Sequence, residues 1–86
     1  NDKDGFVLMV EGGAVDWAGH GNSTARVIEE QIDFNNSVEA VVRWVNANSN
    51  WDETLVIVTG DHETGYLVVT EKAVHAAFNI DFRSMI

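Results

Sequence analysis

Five side chains in this 86-residue sequence are of types that hold divalent metal ions, and they fall in two short stretches: Glu11, Asp16 and His20, then Asp61 and His62. Carboxylate oxygen and imidazole nitrogen are normal zinc ligands, and an additional carboxylate suits magnesium. Each group also has a plain alternative. Glu11 reads as a hydrated acid at a strand end, Asp16 with His20 as a surface pair one helical turn apart, and Asp61-His62 as an ordinary turn. The sequence has no Cys, which excludes thiolate metal sites and disulfides.

The surrounding pattern predicts how these residues are positioned. Phe6-Val7-Leu8-Met9-Val10 is an apolar run without alternation, bounded by Gly5 and Gly12-Gly13. Such a run suits a strand buried on both faces. Residues 14–22, rich in glycine and polar residues, read as a loop with at most one helical turn. Asn22-Ser23-Thr24 offers N-cap candidates. From about Ala25 to Asn48 the apolar residues Val27, Phe34, Val38, Val41 and Val45 recur at helical spacing, with Asp33 able to restart the helix as a second cap. The Asn- and Ser-rich run at 46–50 ends it. Thr54-Leu55-Val56-Ile57-Val58-Thr59 is a second buried-strand candidate, Tyr66-Leu67-Val68-Val69 a third, and residues 71–86 suggest a short helix.

Strand, helix, strand at this length predicts a βαβ unit with a right-handed crossover. The expected fold class is therefore α/β, a βαβ fragment of a larger, mostly parallel sheet flanked by helices. Ligands bind beyond the carboxyl ends of strands in such sheets. Parallel neighbours would then carry all five candidate ligands to one sheet edge, which strengthens the metal reading over the three plain ones. Glycines at 12, 13, 19, 21 and 60 allow tight backbone turns there.

Composition narrows the function classes. The formal net charge is −9 with only five Lys and Arg, which argues against nucleic-acid binding through a basic surface. No apolar run approaches the roughly 20 residues of a membrane span. The opening residues contain no Met and read like a loop cut open. The chain is expected to start inside a longer protein, so the lack of a visible signal peptide is uninformative about localisation.

Two stretches carry a specific resemblance. Residues 10–20, VEGGAVDWAGH, resemble the VEGG-x-x-D-x-x-x-H stretch of alkaline phosphatases, and residues 55–65, LVIVTGDHETG, resemble that family's LVIVT-x-DHETG stretch. Their order and the intervening helix match as well. The similarity covers about residues 5–67. The chain is thus expected to be one partial domain, with residues 1–70 matching the family and the tail 71–86 departing from it.

The resemblance implies that Glu11 binds magnesium, that Asp16 and His20 bind a first zinc, and that Asp61 and His62 bind a second. Trp17 stands where other members carry His or Lys, an aromatic choice similar to that of some marine bacterial enzymes. The implied reaction is hydrolysis of phosphate monoesters through a phosphoserine, with two metals clamping the attacking and leaving oxygens. Homodimer pairing and a periplasmic or extracellular location are also implied.

The family's nucleophilic serine, phosphate-clamping arginine and metal-bridging aspartate lie upstream of this segment, and a further His ligand lies downstream. No residue here is expected to be the nucleophile: Ser23, Ser37, Ser49 and Ser84 fall outside the family's nucleophile motif. Arg26, Arg43 and His75 read as surface residues. The isolated chain is therefore expected to be inactive. Two other functions compete: a related metallohydrolase, such as a phosphodiesterase or mutase, and a non-catalytic metal-binding or structural fragment.

Overall fold

The computed structural model describes residues 3–68, 70 and 72. Two helices, α1 (Gly13–His20) and α2 (Thr24–Asn48), pack against each other. The expected loop at 14–22 is thus mostly helix. Nothing in Ala14-Val15-Asp16-Trp17-Ala18 breaks a helix, and Asp16 in the first turn complements the helix dipole.

A Schellman-type turn ends α1. Asn22 adopts a positive φ of 49°, a conformation Asn tolerates better than most residues. Its N–H donates to the Gly19 carbonyl (2.9 Å), and the next N–H, of Ser23, donates to the Ala18 carbonyl (3.1 Å). Ser23 is at once the N-cap of α2, although its side chain makes no capping hydrogen bond. The two helices are therefore joined with almost no linker.

α2 is one continuous helix of 25 residues, so Asp33 does not restart it. The expected stripe is its inward side: Val45 is fully buried, Val27, Phe34 and Val38 are half-buried, and Val41 lies just on the exposed side. The Arg43–Glu39 pair (2.9 Å) and the Gln31–Asn35 hydrogen bond (3.0 Å) decorate the outer surface at i,i+4 spacing. After Ser49, the Asn50 side chain accepts from the N–H groups of Asp52 and Glu53, turning the chain back.

The βαβ expectation is overturned. Among the described residues there is no strand: the runs at 6–10, 54–59 and 66–68 lie outside both helices and form no ladder. Val69 and, apart from Lys72, the tail 71–86 with its expected helix and His75 lie outside the described residues. The physical reason is the number of neighbours. A doubly buried parallel strand needs a hydrogen-bonding partner on each edge and cover on each face, and two runs cannot provide that for one another. Val7 is accordingly 100% exposed and Leu55 83%. The first run touches α2 through Phe6, whose ring meets that of Trp44 edge-on at 6.1 Å. The radius of gyration, 16.4 Å, exceeds the roughly 12 Å of a compact chain this long.

Gly65 brings the returning chain onto α1. Its φ is +77°, and a Cβ there would collide with the Gly19 carbonyl oxygen. Gly65→Ala is therefore expected to lift residues 61–65 off α1, at a cost above about 1 kcal/mol. Gly60 has open space around it, so Gly60→Ala is the matched control. Amide exchange should accelerate across 61–65 in the first variant and stay unchanged in the second.

Candidate metal centre

Asp16 and His20 project from successive turns of α1, with Asp16 Oδ2 and His20 Nε2 3.4 Å apart. Asp61 and His62 sit on the returning loop, with Asp61 Oδ2 and His62 Nε2 3.6 Å apart. Both separations exceed an ordinary N–H···O hydrogen bond of up to about 3.2 Å. They lie close to the spacing of two ligands on one tetrahedral zinc, roughly 3.3–3.4 Å for bonds near 2.0–2.1 Å. The donor types and spacing in each pair therefore fit a zinc ion, with two ligands apiece and the rest of each shell open.

Thr64 joins the pairs. Its hydroxyl donates to Asp16 Oδ1 (2.5 Å) and lies 3.2 Å from His62 Nδ1. The contact is half-buried and spans 48 residues of sequence. Gly19 makes room for it, because a Cβ there would lie 3.0 Å from the Thr64 carbonyl oxygen and 3.2 Å from its side chain. The loop side is otherwise open to solvent: the Asp61 side chain is 90% exposed. The Asp61 carboxylate also accepts from the His62 backbone N–H (3.0 Å), which steadies the turn.

Glu11 is placed apart. It is exposed just ahead of α1 and makes no hydrogen bond or ion pair with the other four. It lines an open groove of about 420 Å³ together with Glu30, Asp33, Phe34 and Ser37. Among the described residues, no three carboxylate or imidazole groups gather into one cluster. The expected set is thus two linked pairs and a separate acid, held together by a side-chain hydrogen bond in place of a sheet edge. Trp17 follows Asp16 and is three-quarters exposed, leaving an aromatic surface beside the site. Sequence reasoning gave Thr64 no role, although it is one of the positions of the DHETG stretch that carries the family resemblance.

Two acid–imidazole pairs linked through one hydroxyl are the chemistry this segment brings together, and comparison with known sequences gives the lineage. The family model described as alkaline phosphatase matches residues 1–82. The chain is 44% identical over 64 residues to alkaline phosphatase 3 of Bacillus subtilis, covering 74% of this chain and 13% of that protein. It is 40% identical over 77 residues to the repressible alkaline phosphatase of Saccharomyces cerevisiae, covering 90% of this chain and 13% of the relative. The Escherichia coli alkaline phosphatase is 37% identical over 62 residues, covering 72% and 12%. No solved structure matches. The chain belongs to the alkaline phosphatase family. It spans only about 13% of the length of these relatives.

Asp16 is the anchor of the returning loop. Asp16→Ala is expected to free Thr64 and raise amide exchange across 61–65, some 45 residues away in sequence, while α2 is unaffected. The loss corresponds to one charge-assisted, part-solvated hydrogen bond, about 1–2 kcal/mol.

Proposed function

We propose that this chain is the part of a phosphomonoesterase that supplies about half of the protein ligands to two zinc ions and one magnesium ion. In this reading Asp16 and His20 hold the first zinc, Asp61 and His62 the second, and Glu11 the magnesium. The observation that carries it is the pair of acid–imidazole contacts, each at ligand-to-ligand spacing and joined through Thr64. Family membership supports the substrate class, phosphate monoesters hydrolysed through a phosphoserine.

When bound, the metals supply a Lewis-acid clamp on phosphate oxygens and positive charge that offsets the chain's own −9. The chain's residues hold those charges on a short helix and a tethered loop. The rest of the machinery, including nucleophile, phosphate-binding arginine and remaining ligands, belongs to the parent protein. A homodimer and a periplasmic or extracellular location go with the same reading. Among the described residues, no helix is long and apolar enough to cross a membrane.

Metal content of the purified chain tests the proposal, with an Asp61→Ala/His62→Ala variant as control. Loss of the zinc assigned to Asp61 and His62, with the zinc at Asp16 and His20 retained, is the expected result in the variant, and equal zinc in both proteins would refute the ligand assignment. A second expectation concerns turnover. The chain alone should hydrolyse no phosphate monoester even when zinc-loaded, and measurable hydrolysis by it would show that the nucleophile lies within these 86 residues.

A further inference from the structure

We infer that Thr64 is a positioning residue that selects the metal-facing nitrogen of His62 and the metal-facing oxygen of Asp16. The inference deepens the metal reading above and rests on it. A threonine hydroxyl has one proton to donate and lone pairs to accept with. Toward the Asp16 carboxylate it can only donate, and that bond, to Oδ1, uses its single proton. Toward His62 Nδ1, 3.2 Å away, it can then only accept, so Nδ1 must carry the imidazole proton. The lone pair of His62 is thereby left on Nε2, the nitrogen that faces Asp61 Oδ2.

The same bond sorts the two oxygens of Asp16. Oδ1 is engaged by Thr64, and Oδ2 faces His20 Nε2. One hydroxyl thus orients one ligand of each pair, so the two half-sites are set together. Partners of this kind, which fix a ligating imidazole through its other nitrogen, commonly contribute about 10–100-fold to metal affinity.

The test uses the 86-residue chain and three variants: Thr64→Val, which keeps shape and removes the hydroxyl, Thr64→Ser, which restores it, and Asp61→Ala/His62→Ala. Zinc affinity is read by competition with a chromophoric chelator. The His62 tautomer is read from imidazole ¹⁵N shifts in the metal-free chain at alkaline pH. The expected result is Nδ1–H on His62 in the unaltered chain and in Thr64→Ser, with Nε2–H dominant in Thr64→Val. Zinc affinity should fall about 10–100-fold in Thr64→Val and recover to within a few-fold in Thr64→Ser.

Unchanged zinc affinity in Thr64→Val, alongside loss in Asp61→Ala/His62→Ala, would overturn the role of Thr64 and leave the metal reading intact. Zinc affinity unaffected by Asp61→Ala/His62→Ala, or no zinc bound by any form, would overturn the metal reading for this chain. The ¹⁵N shifts then decide the Thr64–His62 link independently: Nε2–H in the unaltered chain refutes it, and Nδ1–H lost only in Thr64→Val upholds it.

Discussion

The hydrogen bond from Thr64 to Asp16 is the contact on which the arrangement of this chain depends. It is half-buried, joins residues 48 positions apart, and ties the returning loop to α1. Without it the exposed turn that carries Asp61 and His62 would lose its side-chain tie to α1. The contact forms because two glycines remove the bulk that would prevent it. Gly19 exposes backbone on α1, and Gly65 settles its own backbone against the Gly19 carbonyl. A polar contact at this surface is strong enough to matter only because its acceptor is charged and its surroundings are partly closed.

The helical part of the fold is legible in the sequence, and for a definite reason. The stripe from Val27 to Val45 repeats over many turns, and a period that long arises by chance far less readily than a short apolar run does. The end of α2 at Asn48 follows from local chemistry, since Asn and Ser compete with helix hydrogen bonding. α1 is harder to see because three nearby glycines suggest a loop, whereas Gly13 and Gly19 sit inside the helix itself.

The sheet is misread from sequence because an apolar run states only that a segment wants to be covered. It does not state that the cover lies in the same chain. Residues 6–10 and 54–59 satisfy every local criterion for buried strands, yet they stand largely exposed. For the site, the residue types and their grouping into pairs are readable, because acid–imidazole spacing within a stretch is a local property. What joins the pairs is not, since nothing local to Thr64 announces a partner on a helix 48 residues earlier.

The length of α2 has a mechanical consequence. At 25 residues it carries the chain roughly 37 Å away from α1. After the turn at 49–53, the residues from 54 to 64 must cover that distance in return, and fully extended they reach only about 36–40 Å. The return is therefore long and outside either helix, with its bend at Asp61 placed near the end that meets α1. The helix works as a strut and the apolar run behind it as a cord of matched length. The length of α2 and the length of the return must match for Thr64 to meet Asp16, so the separation of the two halves of the site is gauged by counting residues as much as by choosing them.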